Sequence, residues 1–313
     1  MTQPAAPTLG DGRTLRQLSG AEVPDRIDDD VPVWVHDEHA LVFAIEEDGA
    51  AAGFVALRTP EHRDAAAQLA WQVDPDFRGH GLAGAALRAV IEHGFVDLGL
   101  RRVEAHVDRR NRPAFRTAAA AGLRIEGVLR GYREGVDAAI LGRLATDAVP
   151  GTRDAFTAWL NSSLPTKRAI AQALIRDETR RLLVCELVYK KPWDLPGGVV
   201  DPLESPAAAV TRELREELGV TGHIRSLAAV SWLPAWHGWD DATLFVFDVH
   251  VPAEELAAIQ LQPREIRAVH WCDAAELAEH AADYTVRVAE HALAALDAGI
   301  GTVYLEDGRP PRW

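Results

Sequence analysis

The sequence predicts two α/β domains in tandem, each built from strands and flanking helices. Three observations predict this. At about 150 residues per domain, a chain of 313 residues makes two. Each half alternates strand-patterned runs with longer segments whose apolar residues recur at helical spacing. Between the halves stand a breaker cluster, Ala148-Val149-Pro150-Gly151, and a polar stretch, Asn161-Ser162-Ser163-Leu164-Pro165-Thr166. The expected organisation is a flexible tail over 1–12, a first domain over 13–147, a linker with a short helix over 148–166 and a second domain over 167–313.

In the first half, Ala40 to Ile45, Ala52 to Leu57, Gln68 to Val73 and Arg102 to Val107 read as strands, with Glu46-Glu47-Asp48-Gly49 as the first turn. A helix is expected from about Gly81 to Phe95, with Ala83, Leu87, Val90, Ile91 and Phe95 as its apolar stripe. A second runs from about Arg112 to Ala121 and ends at Gly122. An amphipathic helix over Arg153 to Leu160 lies in the linker. In the second half, Ala169 to Ile175, Leu182 to Val188 and Thr243 to Val249 read as strands. Helices are expected over Pro206 to Leu218, Ala274 to His280 and Thr285 to Ala298.

Composition narrows the function classes. The formal net charge of −14 argues against a broad basic face for extended nucleic acid. No apolar run reaches the length of a membrane span, and residues 1–10 lack the basic and apolar regions of a signal peptide. The two cysteines, Cys185 and Cys272, are far apart and in no zinc spacing, so a reducing, cytoplasmic setting is expected.

The strongest chemical signal lies between Leu195 and Val220. Leu195-Pro196-Gly197-Gly198 precedes Glu204, then a helix with Ser205 as N-cap, Pro206 at its first position and Gly219 just past its end. At 100° per residue, Ala207, Val210, Leu214 and Leu218 form a stripe about 80° wide. Glu217 sits about 20° beyond Val210, Glu213 about 60° beyond it, and Glu216 further round. Like charges three and four residues apart destabilise an isolated helix, so a solvated acidic face explains this poorly. A bound hard cation, Mg²⁺ or Mn²⁺, explains it better.

Gly198 to Val220, ending in Arg212-Glu213-Leu214-Arg215-Glu216-Glu217-Leu218-Gly219-Val220, resembles the Nudix hydrolase box (G-x5-E-x7-R-E-U-x-E-E-x-G-U, U apolar) at every specified position. The resemblance covers about residues 167 to 313 and implies an α/β/α sandwich that hydrolyses a nucleoside diphosphate linked to another moiety. It implies that Glu213, Glu216 and Glu217 hold metal, with the Gly197 carbonyl as a further ligand. Glu213 would also orient or deprotonate the attacking water, Arg212 would position Glu213, and Glu204 would be an outer participant. Some members draw a later acid from a loop; Glu265 is the candidate here, with a solvent-facing side chain as the competing reading. Trp232, Trp236 and Trp239 cluster with Pro234 after the box, where they could stack on a base or simply pack a long loop.

Arg78-Gly79-His80-Gly81-Leu82-Ala83 matches R/Q-x-x-G-x-G/A, a short pattern that gains meaning from context: it follows a strand and opens a helix, where free N–H groups favour a pyrophosphate. With Val73-Asp74-Pro75-Asp76-Phe77 before it and Asn111 to Leu123 and Glu126-Gly127-Val128-Leu129-Arg130 after, residues 13 to 147 resemble a GNAT-fold N-acetyltransferase. The subgroup resembled acetylates protein N-termini and small amines. The resemblance implies acetyl-CoA bound on the backbone of Arg78 to Ala83, Asn111 against the CoA arm, the Val73 backbone aligning the thioester, and an amine acceptor. The family's general-acid tyrosine falls on Ala118 here, and the subgroup's serine on Ala114. Glu104 and His106 alternate onto one strand face and could line the cleft; a strand-face histidine without a role is the competing reading for His106. The expected whole is a fusion of a GNAT-like mixed sheet and a Nudix sandwich. A non-catalytic acyl-CoA-binding first half that regulates the hydrolase is the alternative, and a scaffold is a third reading that the intact box argues against.

Overall fold

The structure is a computed structural model that describes residues 9, 13–24, 27–28, 31–60, 65–236 and 238–313. The expected tail over 1–12 lies outside the described residues except for Leu9. The chain divides into two compact units, Met1–Pro165 and Thr166–Trp313. Among the described residues no helix is long and apolar enough to cross a membrane.

The first unit holds strands β1 (Arg13–Gln17), β2 (Ala40–Glu47), β3 (Ala50–Arg58), β4 (Ala66–Val73), then helix α1 (Leu82–Val96), β5 (Arg102–Asp108), α2 (Arg112–Ala120), β6 (Arg124–Arg133), β7 (Val136–Leu144) and α3 (Arg153–Ser163). Its seven strands form one sheet in the order β1-β2-β3-β4-β5-β7-β6. Alternation along β3 shows how the sheet is covered on both faces. Val55 and Leu57 point into a core with Leu82, Leu87, Val90 and Ile91 of α1, while Phe54 and Ala56 pack with Trp34 and Val35 on the other face. The turn expected over Glu46 to Gly49 is tighter: β2 runs through Glu47, and Asp48-Gly49 alone turn the chain, both at positive φ.

One break in the ladder matters for function. β4 and β5 run parallel but pair only over Ala66–Gln68 with Arg102–Glu104. Beyond that point they part, leaving a gap between Leu69–Val73 and Ala105–Asp108 near the start of α1. The stretch expected as a linker carries α3. The Ile125 N–H donates to Ser162 Oγ of that helix at 3.3 Å, and the boundary between units falls after it, at Pro165.

The second unit holds β8 (Arg168–Ile175), β9 (Leu182–Leu187), β10 (Gly197–Val199), α4 (Pro206–Leu218), β11 (His223–Leu233), β12 (Ala242–His250), α5 (Ala253–Leu256), β13 (Ile266–Cys272), α6 (Ala274–His280), α7 (Asp283–Asp297) and β14 (Val303–Glu306). Five strands form a sheet in the order β10-β8-β12-β11-β14, and β13 pairs with β9. One core packs Val210, Leu214 and Leu218 of α4 against Ala171, Ala173 and Phe247. A second packs Leu277 of α6 and Val288, Ala289 and Ala292 of α7 against Leu174, Leu244 and Val246 on the opposite face. The result is an α/β/α sandwich. Burying each large apolar side chain of α4 contributes about 1.5–3 kcal/mol, which outweighs the repulsion among its carboxylates.

Candidate active sites

In the second unit the site grows from a turn and a helix face. Gly197 has a φ of 131°, and a side chain there would run into the Ala171 carbonyl oxygen. A Cβ on Gly198 would stand 2.5 Å from Glu213 Oε1. Gly197 thus lets β10 pair closely with β8, and Gly198 lets the β10 backbone lie directly against the Glu213 carboxylate of α4. Ser205 Oγ accepts the Ala208 N–H at 3.1 Å and fixes the start of α4.

Arg212 is the hub. Its Nε and Nη2 donate to Glu204 at 3.0 Å each, and its Nη1 donates to Glu213 at 2.9 Å and Glu216 at 3.0 Å. Its Nη2 also reaches the Val199 carbonyl at 3.1 Å. The hydrogen bond from Arg212 holds the Glu204 carboxyl below its usual range. Glu213 is half-buried, and desolvation pushes its carboxyl up against the pull of Arg212. Glu217 is 5% exposed, and its Oε2 accepts the Gly197 N–H at 2.8 Å. Burial pushes its carboxyl up to about 8, reinforced by Glu213, Glu265 and Asp194 and opposed by the Gly197 N–H. Glu265 is exposed, yet close enough for its charge to raise both Glu213 and Glu217.

Among the described residues no three His, Cys, Asp or Glu side chains converge on one metal position. The reason is visible in the hub: Arg212 draws Glu213 and Glu216 to itself, while Glu217 turns to Gly197. The donor chemistry is nevertheless that of a hard cation site, with all-oxygen ligands around a carboxylate buried almost completely.

The aromatics after the box are placed differently from one another. Trp232 donates Nε1–H to Asp241 Oδ2 at 2.9 Å and is 38% exposed. Trp236 and Trp239 exchange backbone hydrogen bonds at 3.0 and 2.9 Å, and the Arg168 guanidinium lies 4.8 Å over the Trp239 ring. Sequence reasoning missed Asp194. This buried carboxylate accepts from Lys190 Nζ (2.6 Å), Leu195 N–H (3.0 Å), Tyr284 Oη (3.1 Å) and Thr285 Oγ1 (3.1 Å), tying the glycine turn to α7. Its place beside Leu195-Pro196-Gly197-Gly198 was the available signal.

In the first unit, Gly81 is the N-cap of α1 with a φ of 76°, a conformation suited to glycine. Gly79, His80 and Gly81 are exposed, Ala83 is partly so, and the Leu82 side chain is 1% exposed in the core. Arg78 donates Nε–H to the Val73 carbonyl at 2.8 Å and pairs with Asp28 at 3.1 Å. Asn111 caps α2, its Oδ1 accepting the Ala114 N–H at 3.0 Å, so its side chain also has a structural duty. Ala118 is fully buried and Ala114 packs against the same core. Glu104 and His106 do share a face of β5 and stand 3.5 Å apart. Tyr132, which no motif marked, meets His106 from β6.

Comparisons with known proteins divide along the same boundary. The family model for the NUDIX domain matches residues 165–292, and that for the acetyltransferase (GNAT) domain matches residues 12–124. The spermidine N(1)-acetyltransferase of Escherichia coli K12 is 32% identical over 95 residues, 30% of this chain and 51% of that protein. The MutT-like protein of Streptomyces ambofaciens is 27% identical over 142 residues, 45% of this chain and 84% of that protein. The solved structure of Mycobacterium smegmatis RimJ in complex with CoA-disulfide is 27% identical at a TM-score of 0.35, covering 41% of this chain and 62% of that one. The chain spans about half the length of the curated acetyltransferases it matches first. Two separate family matches, each in its own compact unit, show that the chain joins an N-terminal GNAT acetyltransferase domain to a C-terminal Nudix domain.

Proposed function

We propose that the second unit hydrolyses a nucleoside diphosphate linked to another moiety with Mg²⁺ or Mn²⁺, and that the first transfers an acetyl group from acetyl-CoA to an amine. The observation that carries the hydrolase reading is Glu217. An anion buried this deeply is unfavourable unless a cation compensates it. Glu213, Glu216 and Glu217 would hold that cation, with the Gly197 carbonyl and Glu265 as further oxygen donors. A divalent ion there supplies neutralisation of the diphosphate charge and a more acidic water. Glu213, half-buried with a raised carboxyl, is suited to take the water's proton. Arg212 positions it and Glu204 holds Arg212 in place. Trp232 and Trp236 offer exposed ring surface to a base.

For the first unit, the amides from Arg78 to Ala83 at the start of α1 suit a pyrophosphate. Val73 borders the β4–β5 gap, where its backbone would align the thioester, and Asn111 lies at the start of α2 for the CoA arm. An aliphatic polyamine is the first acceptor to test, since the relative from Escherichia coli is named for spermidine. Cys185 and Cys272 are unpaired and buried, which suits the cytoplasm.

The test is a panel of nucleoside diphosphate derivatives incubated with Mg²⁺, products identified by mass. We expect cleavage within the diphosphate. Full turnover in excess EDTA would overturn the metal-dependent reading.

A further inference from the structure

We propose that a cleft in the first unit, between α1, the end of α2 and α3, binds a nucleoside monophosphate of the kind that hydrolysis at the second unit releases. The choice of ligand rests on the hydrolase reading above; the cleft itself does not. Its volume is about 840 Å³, within the range of small-molecule sites. It stands apart from the acetyl-CoA cradle. Arg88, on its wall, lies about 10 Å along α1 from Gly81. The α2 residues that line it, Ala119 and Ala120, are at the opposite end of that helix from Asn111.

The wall that selects the ligand is α3. Arg153, Phe156 and Trp159 all line the cleft and recur three residues apart, so a guanidinium, a phenyl ring and an indole stand along one side of the helix. The helix is amphipathic in sequence, yet none of its residues is buried, and Phe156 is 60% exposed. Its place is nevertheless fixed. The Ala155 N–H donates to Thr152 Oγ1 at 3.3 Å and caps its start, and Ser162 Oγ accepts the Ile125 N–H of β6 at 3.3 Å. An aromatic face held in position but left uncovered suits a flat ring laid against it.

Charge supplies the other half of the recognition. Arg88 and Arg153 line the cleft, and no Asp or Glu does. Arg88 Nη1 donates to the Ala120 carbonyl at 2.9 Å. Glu92, one turn further along α1, accepts instead from Arg143 at 2.7 Å. Among the described residues neither Arg88 nor Arg153 has a carboxylate partner. In a chain of net charge −14, two such guanidiniums in one concave site form a local anion site, and a guanidinium matches a phosphate through its forked N–H donors. An uncharged aromatic compound would leave both guanidiniums unmatched. A bare polyanion would make no use of Phe156 and Trp159. A base carried on one phosphate uses both. The proposed hydrolysis yields such a molecule, because water added across the P–O–P bridge leaves one phosphate on the nucleoside.

The test is calorimetric titration of the full-length protein with AMP at low salt in excess EDTA, which keeps metal from drawing the phosphate to the second unit. We expect one site with a Kd on the order of 10 µM, in line with a ligand of this size. Adenosine and inorganic phosphate, each with half of the determinants, should bind at least about tenfold more weakly. Phe156→Ala should weaken AMP binding about tenfold, the scale of one base stacked on one ring. Arg153→Gln should weaken it by about the same factor. Both variants should hydrolyse and acetylate at wild-type rates. Absence of heat at millimolar AMP, or wild-type affinity in both variants, overturns the proposal. Displacement of AMP by CoA would assign the cleft to the CoA arm, and it overturns the proposal too. If Phe156→Ala instead lowers the sedimentation coefficient of the free protein, a second copy covers this face and the nucleotide assignment falls. Protein that binds AMP in the expected pattern but cleaves no nucleoside diphosphate derivative overturns the hydrolase reading and leaves the cleft standing. Active hydrolase without such binding overturns only the cleft.

Discussion

Replacing Glu217 with Gln should separate function from stability. The carboxyl ordinarily ionises at 4.5 but is pushed up to about 8 in the fold by burial. The folded state therefore keeps a proton that the unfolded state has lost, and stability falls as pH rises from about 4.5 to about 8. Gln keeps the size, still accepts the Gly197 N–H and carries no charge. Relative to wild type, the variant should gain roughly 4 kcal/mol between pH 5 and pH 9, worked at about 1.4 kcal/mol per pH unit across the shift. For a unit of this size that corresponds to on the order of 10 °C in Tm. Thermal unfolding followed by calorimetry in EDTA at the two pH values measures it, on the transition of the second unit. Added Mg²⁺ should narrow the gap by stabilising wild type alone. Hydrolysis by the variant should fall by orders of magnitude. A variant whose advantage is the same at pH 5 and pH 9 would show that the buried carboxylate is compensated in some other way, and the cation argument would lose its basis.

Arg212→Lys cannot reach Glu204, Glu213 and Glu216 together, so kcat for hydrolysis should drop about 10- to 100-fold, as for other supports of metal ligands. Steady-state kinetics at saturating Mg²⁺ checks this, and an unchanged kcat would remove Arg212 from its positioning role. A Cβ at Gly81 meets no atom within 4 Å, but the φ of 76° strains a β-branched residue and the side chain would stand where the pyrophosphate approaches. Gly81→Val should abolish the heat of CoA binding in titration calorimetry, and tight binding by the folded variant would refute the cradle. Residues 166–313 expressed alone should fold and keep most of the hydrolase rate. Activity that returns only when residues 1–165 are added would show that the halves are coupled.

How much was legible depends on where the information sits. α4 is bounded in the sequence as in the fold, because Ser205, Pro206 and Gly219 are local signals. α6 is marked by the Asp273–Glu276 capping box in the same way. β6, β7, β11, β13 and β14 had no such punctuation and depend on pairing across the sheets, β14 with β11 over a wide sequence separation. α3 was found, but its attachment to β6 turns on a hydrogen bond between residues 125 and 162 that no local pattern encodes. The Nudix carboxylates were legible because one helix carries them. Tyr132 was not, since its meeting with His106 is created by strands distant in sequence. The Asn111 side chain was read only as a ligand contact, although an N-cap followed by Arg112-Pro113 also announces a helix start.

The three-residue ladder between β4 and β5 also bears on how the first unit comes apart. Among the described residues, backbone pairing joins β1 through β4 on one side and β5, β7 and β6 on the other, stitched by the short ladder of Ala66–Gln68 with Arg102–Glu104 and by the Arg101 and Arg102 N–H groups on the Ala65 carbonyl. Such a sheet is prone to open along its seam as two cooperative blocks before it unfolds as a whole. The amides of Leu69–Val73 and Ala105–Asp108 that face the seam lack a strand partner there, so in hydrogen exchange they should lag behind their outward-facing neighbours in protection. A ligand lodged in the seam would clamp the blocks together and slow exchange on both banks at once.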